Sequence, residues 1–558
     1  MNSEKKTFNP LAFIVLLSAF LIGSVYSAIV YLITVLVLAM LLYMVKGNGD
    51  LKVSFSRVSV YGLAVLASGG VAWISGVDRG LGFFGFSRLI CAGIFVLYQM
   101  QFSKEEKWAA VGYMPAAAIA MILLCVLFYP FESLRSFVIN NGRAGGLFQY
   151  SNTFALYILL SICIFLFGES RKGDNRQWKC YLELFVLTAG LFWTGSRTTF
   201  ILWVFVCLYF VILHKNTRRL LCVVSGVTLV LALIYVLVTG NVMSVGRFLT
   251  VSLQESTFLG RLLYWKDAFP LILKEPFGLG YGGYYELQPL IQTGVYTTKY
   301  VHNSFMQIAL DYGVIALVSF LLIFLHGMLK ANGQERILLA VIGLHAFFDI
   351  DLEYYAIVLL LIMLVDWNVS DRNSKIKAGI LYAVIPCVMG IFLWLGVALG
   401  LDLVGMPRYA QKLYPWSSQI NEELLISEEN RDSAFAMAQR IMSENPNSIP
   451  ASRFLALWYF DEKEYLEMLG ILDHYLELSK YDMSAYSAYI HMIDSAVMEL
   501  EEKGEDTSRF CSAISGVIDI IGKVKEQTSG LAYRIKDKPN FEIAREDYEL
   551  IMYYKLNR

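Results

Sequence analysis

LAFIVLLSAFLIGSVYSAIVYLITVLVLAMLLYM, residues 11–44, carries no Asp, Glu, Lys, Arg or His. One bilayer crossing takes about 20 apolar residues, and the apolar region of a cleavable signal takes about 7–15. A run of this length fits neither, so it is expected to fold back on itself as two spans, Leu11–Ser27 and Ala28–Val45, with no cleaved leader. That reading decides the fold class, because a chain that opens on a membrane hairpin must satisfy its backbone within each crossing, as helices do.

Outward from this hairpin the pattern repeats. Further apolar segments are Val58–Val77, Leu81–Met100, Trp108–Tyr129, Asn152–Phe167, Lys179–Trp193, Thr198–His214, Arg219–Thr239, Ser304–His326, Arg336–Phe348, Tyr355–Trp367 and Ile376–Leu399. The expected architecture is all-α: a polytopic membrane helix bundle of about 13 spans over residues 1–402, with a long outer loop at 240–303. Composition agrees, with 57% hydrophobic and 17% charged residues and a mean hydropathy of +0.53, where a soluble domain carries about 25% charged residues. The net charge of −1 gives no field that would draw nucleic acid. Of the eight cysteines, Cys91, Cys125, Cys163, Cys207 and Cys387 fall inside spans. None has metal-ligand spacing, so they read as small packing residues and no metal site is expected.

Lysines and arginines set the orientation. With Lys5 and Lys6 inside, the loops bearing Lys46/Lys52/Arg57, Lys104/Lys107, Arg171/Lys172/Arg176/Lys179, Lys215/Arg218/Arg219, Lys330/Arg336 and Arg372/Lys375/Lys377 also fall inside. The alternate short loops hold only Arg79, Arg135, Arg143 and Arg197. Thirteen spans then place the 240–303 loop and residues 403–558 on the extracytoplasmic side of the plasma membrane. Those last residues change character: charge becomes frequent and apolar positions recur at helical spacing, as in Ala434, Met437, Ala438 and Ile441. They are expected to form a soluble module of antiparallel helix pairs, loosely like a tetratricopeptide array but without its 34-residue signature.

Several unusual residues converge on the outer face. Arg143 precedes a span, in a stretch running to Asn152. Arg197 lies in the Thr194-Gly195-Ser196-Arg197-Thr198 turn, and Arg261 and His302 lie in the long loop. Outer arginines run against the charge bias. A guanidinium fork matches phosphate oxygens, and two or three at the membrane border suit a lipid-linked diphosphate. A structural role stands beside each: Arg197 snorkelling to headgroups, Arg261 on a solvated helix face, His302 as a cap. Arg79, Arg88 and Arg135 read as structural. The Gly278–Gly283 run reads as a turn allowing close backbone approach, since no GK[ST] follows it. His345, Asp349, Asp351 and Glu353 form a second polar cluster near a span end, where ionisable groups are costly. His345 and Asp349, four apart, are expected to share a helix face, either supporting a site or locking helices together. Asp349-Ile350-Asp351 has the letters of a sugar-nucleotide DxD motif but faces away from the nucleotide pool.

The ordered set resembles the O-antigen ligase and polymerase superfamily of bacterial envelope glycosyltransferases. The pieces are Gly146-Leu147-Phe148-Gln149-Tyr150-Ser151-Asn152, Gly195-Ser196-Arg197-Thr198, Gly260-Arg261 with Trp265, Pro276-Phe277-Gly278-Leu279-Gly280, His302-Asn303-Ser304-Phe305 and Asp311-Tyr312-Gly313. They span roughly residues 140–325, and Gln149-Tyr150-Ser151-Asn152 departs from the usual asparagine-proline-asparagine pattern. The resemblance implies a GT-C-like helical membrane glycosyltransferase. Its donor would be a polyprenyl-diphosphate-linked glycan, its acceptor a glycan, lipid or protein hydroxyl, and it would need no cofactor or metal. By matching position Arg197 and Arg261 would hold the diphosphate and His302 would be the catalytic base, with inversion at the anomeric carbon. Arg143, Asn303, His345, Asp349 and Asp351 would bind substrate or support the site. Ligase, polysaccharide polymerase and protein O-oligosaccharyltransferase members share this core. A lipid-linked glycan transporter is the competing class, for which an internal repeat and mid-membrane charges would be expected.

Overall fold

The computed structural model describes residues 9–170, 177–239, 256–368 and 373–557. Lys5, Lys6, Arg171, Lys172, Arg176 and Arg372, invoked above for orientation, lie outside them, as do residues 240–255 of the long loop. Among the described residues, six helices are long and apolar enough to cross a membrane. The opening hairpin is α1, Pro10–Phe20, and α2, Ser27–Asn48. Asn9 starts α1 by accepting from the Leu11 and Ala12 amides, a capping role suited to its short polar side chain. Between the two helices Ile22, Gly23 and Ser24 all take positive φ, which turns the chain in fewer residues than the expected Leu11–Ser27 span allowed.

The bundle continues through α3 (Arg57–Ser75), α4 (Arg79–Gln99), α5 (Lys104–Val111), α6 (Met114–Phe128), α7 (Glu132–Val138) and α8 (Ser151–Ser170), then α9 (Trp178–Thr194), α10 (Arg197–Leu213) and α11 (Lys215–Thr239). The segment expected as one span at Trp108–Tyr129 falls on Lys104–Phe128, one of the six membrane-length stretches; a short turn separates α5 from α6 inside it, and Pro115 stands in the first turn of α6, a place where its missing N–H costs nothing. Helix α8 is the bundle's axis, 83% buried along its apolar window, and reads accordingly as apolar all round.

Three clasps at one end join loops predicted to share a face. Strand β1, Leu51–Ser54, pairs antiparallel with Asn373–Ile376. Lys104 bonds Glu335 at 3.1 Å. Asn216 Nδ2 donates to the Ser170 carbonyl at 3.3 Å. The polar constellation gathers instead at the Ser151 end of α8, about 30 Å away at 1.5 Å per helical residue.

The segment after residue 255 holds α12 (Ser256–Lys274) and α13 (Gly283–Ile291). It leads into α14 (Ser304–Tyr312), α15 (Val314–Lys330), α16 (Gly333–Ala346), α17 (Tyr355–Leu364) and α18 (Ala378–Leu403). The expected single span Ser304–His326 is therefore two helices. The break is Gly313, at φ +89°, where a Cβ would lie 2.7 Å from the Phe277 carbonyl. Gly278 meets the Gly313 amide just as closely, so the glycine run packs backbone on backbone, as the turn reading expected.

After α18 the chain is helical from Pro407 to Asn557, with paired neighbours such as Ile449–Asp461 and Tyr465–Leu478. This region has its own apolar core around Met468, Leu472, Ile490 and Ile493. It docks on the segment that carries α12 and α13 at several points. Asn445 Nδ2 donates to Glu286 Oε2 at 2.6 Å, and Lys480 Nζ to the Leu290 carbonyl at 2.8 Å. The Ser529 amide donates to the Thr293 carbonyl at 2.8 Å, and Ala532 and Ile535 pack with Leu259, Leu263 and Tyr296.

Candidate functional site

The site is built around a turn between two helices. Helix α16 ends at Ala346, and the chain passes through Phe347–Ile350 and a 3-10 turn, Asp351–Glu353, before α17. The C-terminus of α16 thus falls short of Asp349, and His345 and Asp349 do not share a helix face. The turn sends the two aspartates to different partners.

Asp349 is 1% exposed and receives five donors. Its Oδ1 accepts from Tyr150 Oη at 2.6 Å and from the Ile350 amide at 3.0 Å, and lies 3.4 Å from His302 Nδ1. Its Oδ2 accepts from Asn152 Nδ2 at 2.7 Å and Arg261 NH2 at 2.9 Å. Burial alone would raise this carboxyl's pKa; the Arg261 guanidinium, and His302 behind it, more than offset that and hold it well below the usual carboxylate range. The turn is tied to α14 through Ser304, whose hydroxyl and amide both donate to the Asp349 carbonyl, at 2.8 and 3.0 Å.

Arg261 and His302 therefore share one carboxylate while keeping 18% and 24% of their side chains exposed. His302 sits at φ +53°, a left-handed conformation that costs a non-glycine residue about 1 kcal/mol or more. Its neighbour is what holds it there: the Val301 amide donates to Gln307 Oε1 at 3.0 Å, and the Val301 carbonyl accepts from Trp265 Nε1 of α12 at 3.0 Å. Capping falls to Asn303 instead, whose side chain accepts from the Phe305 and Met306 amides. Asn303 is 2% exposed and serves the helix, so its expected place in the site is reduced to holding the start of α14.

Arg143 and Arg197 meet at another turn. Arg143 Nε donates to the Thr194 carbonyl and its NH2 to Asn152 Oδ1, both at 2.6 Å. Arg197 is the first residue of α10, directly after that turn, and is partly exposed. His345 and Asp351, both fully buried, bond each other at 2.5 Å. His345 Nε2 also meets Thr199 Oγ1 of α10 at 2.8 Å.

The structure thus gathers Arg143, Arg261, His302 and Asp349 into one bonded set through Asn152, with Arg197 one turn away. Sequence reasoning passed over Tyr150, Asn152, Thr153 and Thr199. Tyr150 and Asn152 stood in the stretch that departs from the family pattern, and polar residues crowded at the start of an apolar helix were the available signal. Arg88, read from the sequence as structural, donates to the Val25 and Glu353 carbonyls and to Tyr281 Oη.

A cavity of about 460 Å³ opens beside the site. Ser304, Gln307 and Asp311 of α14 line it together with Arg88 and Glu353, and the rest of its wall is mostly apolar, reaching Val53 and Trp367 near β1. Among the described residues no group of three or more His, Cys, Asp or Glu side chains is placed to hold a metal ion.

No curated protein matches the chain closely enough to be counted a relative. Residues 182–321 match the family model described as O-antigen ligase, a stretch that includes Arg197, Arg261 and His302 and stops short of His345, Asp349 and Asp351. The match takes in about a quarter of the chain and is flanked on both sides by helices of membrane-spanning length, so the similarity to O-antigen ligases is that of residues 182–321.

Proposed function

We propose that this protein transfers a glycan from a polyprenyl-diphosphate donor to an acceptor hydroxyl at the outer face of the plasma membrane, with inversion and without a metal. The observation that carries this reading is the single buried carboxylate of Asp349 shared by Arg261 and His302. A histidine held at Nδ1 by a carboxylate presents Nε2 as a base, an arrangement that recurs where a hydroxyl is deprotonated. Asp349 fixes the ring's tautomer and stabilises the cation that forms.

His302 Nε2 takes the proton of the acceptor hydroxyl, and that oxygen attacks the anomeric carbon. The bond from that carbon to the diphosphate oxygen breaks, and its electron pair leaves with the diphosphate. The exposed part of Arg261, with Arg197, meets the charge gathering there, which is worth most where donors are already fixed in place. The apolar cavity beside Ser304 supports a donor whose isoprenoid chain lies along the bundle while its diphosphate sits at the arginines. The basic clasped loops at the opposite end support the orientation with residues 403–558 extracytoplasmic. Docked on α12 and α13, that module suits an acceptor or polymer guide.

Membranes holding the protein, given the native polyprenyl-diphosphate oligosaccharide and resolved by product size, test this. Loss of transfer in His302→Ala and Arg261→Ala, with protein retained in the membrane, supports the enzyme. A ladder of lengths then means polymerase; one addition to a separate lipid or protein means ligase or protein O-oligosaccharyltransferase. Transfer at wild-type rate in both variants refutes the site. Competent substrates with no transfer by the wild type would favour a transporter.

A further inference from the structure

The two aspartates of the Phe347–Glu353 turn face different elements. Asp349 takes Arg261 and His302. Asp351 instead begins a buried chain of side chains. Its Oδ1 accepts from Thr153 Oγ1 of α8 at 2.8 Å, and its Oδ2 pairs with His345 Nδ1 at 2.5 Å. His345 Nε2 meets Thr199 Oγ1 at 2.8 Å, and Thr199 Oγ1 meets Ser196 Oγ at 2.9 Å. Asp351, His345, Thr153 and Thr199 are all 0% exposed and Ser196 is 4% exposed.

Ser196 is the N-cap of α10, Thr199 its third residue, and Arg197 lies between them as the first. The chain therefore ends on the turn that carries Arg197. From the other side Arg143 grips the same turn at the Thr194 carbonyl. We infer that Asp351, His345 and Thr199 are positioning residues that register Arg197 against the Asp349, Arg261 and His302 group, so that two arginines on separate helices present one diphosphate site. This rests on the transfer reading above.

The physical case is the cost of the arrangement. A buried histidine and carboxylate gain little net stability over apolar residues of the same shape, yet here each polar atom in the chain has a partner. Either protonation state of His345 keeps them bonded. As neutral imidazole with Nδ1–H donating to Asp351, Nε2 accepts from the Thr199 hydroxyl, which accepts from Ser196. As imidazolium, Nε2–H donates to Thr199, which donates to Ser196. The geometry survives proton exchange, which suits a brace more than an acid or base.

The test compares Thr199→Val, which keeps shape and removes the hydroxyl, with Thr199→Ser, which keeps the hydroxyl. Transfer is measured in membranes against concentration of the native polyprenyl-diphosphate oligosaccharide, beside His302→Ala. Thr199→Val is expected to raise the donor KM about tenfold, the loss of roughly one buried hydrogen bond, with kcat changed much less, and Thr199→Ser to restore it. If Thr199→Val fails to accumulate, Ser196→Ala, which removes only the last link, is expected to raise KM in the same direction. Valine and serine variants with the same KM, or a Ser196→Ala KM equal to wild type, would overturn the inference. His302→Ala separates the two failures: inactive His302→Ala beside normal Thr199→Val sinks the brace alone, whereas active His302→Ala sinks the transfer reading.

Discussion

Asp349→Asn is the substitution on which the site's logic turns. It is nearly isosteric, so packing is preserved, but it replaces an acceptor of five donors with a group that has one acceptor and one donor end. Whichever way the amide lies, its NH2 faces donors. With nitrogen at the Oδ2 position, Asn152 Nδ2 and Arg261 NH2 lose their acceptor; with nitrogen at Oδ1, Tyr150, His302 and the Ile350 amide lose theirs. Either way one charged catalytic group loses a bond of about 1.5–3 kcal/mol. The loss of negative charge also withdraws support from the imidazolium that forms during proton transfer. At about 1.4 kcal/mol per decade, the lost bond alone lowers kcat by roughly 10–10², and the lost charge adds to that fall, with the protein still inserted. The assay is single-turnover transfer of labelled lipid-linked oligosaccharide in membranes, normalised to protein. Asp349→Asn within about threefold of wild type, beside an inactive His302→Ala, would refute the claim that Asp349 orients the base. The depressed pKa adds a second check. A carboxyl held low contributes its stabilisation above the ordinary carboxylate range and loses it only as pH falls through the lower folded value. Asp349 should stay ionised down to at least pH 4, and tyrosine-to-carboxylate contacts at Tyr150 should persist there by infrared spectroscopy.

Glu286→Gln probes the join between α13 and the C-terminal helices. Burial, partly countered by Asn445 and reinforced by Glu422, pushes Glu286 up to about 7 from 4.5. A raised carboxyl means the folded state holds the proton more tightly. Its favourable share is full below about pH 4.5 and is lost as pH rises through 7, a change of up to about 3 kcal/mol. Thermal unfolding of the detergent-solubilised protein should show this as a midpoint falling between pH 5 and 8, with the slope reduced in Glu286→Gln; equal slopes would refute it. Gly313→Ala should destabilise by about 3 kcal/mol or more, since φ +89° and ψ 168° suit glycine alone and the new Cβ meets the Phe277 carbonyl at 2.7 Å; membrane abundance and thermal midpoint check it. Gly294→Val should separate the Ser529–Ile535 segment from α12, because a Cβ there lies 2.7 Å from Ala532 and 2.9 Å from Leu263. Limited proteolysis should then cut between residues 528 and 540 faster than in wild type.

The membrane helices were legible because a span is a composition as much as a pattern: 34 residues without a charge at 11–44 admit few other readings. Arg261 and His302, which the structure brings to one carboxylate, could be picked out of the sequence because each stood polar near an apolar segment. Helix ends were less so. Ser304–His326 read as one apolar run because hydropathy does not register a backbone contact, and only the approach of Phe277 to Gly313 explains the break. The same blindness set His345 with Asp349: four residues apart implies a shared face only if the helix continues, and α16 ends at Ala346. Tyr150 and Asn152 were hidden because their partner lies about 200 residues away along the chain.

The Asp349-Ile350-Asp351 letters show how a short motif acquires meaning from its turn. On a strand, residues two apart would share a face, whereas on a helix they point away from each other and serve separate surroundings. Here the turn after α16 does the same for a different reason, sending Asp349 to the partly open arginine and histidine and Asp351 into the dry interior. One carboxylate is placed where its charge can act on solvent-facing groups, the other where it can only hold its neighbours. The consequence is an asymmetry between Asp349→Asn and Asp351→Asn. The first should act on kcat through the base. The second leaves His345 and Thr153 competing for one acceptor, and should act on donor KM and on thermal stability together, by about 3–5 kcal/mol of stability if the pair is broken outright. A kinetic split of that kind, measured on the same membranes, would separate the two carboxylates by function; identical losses in kcat from both would mean that the turn acts as one rigid piece.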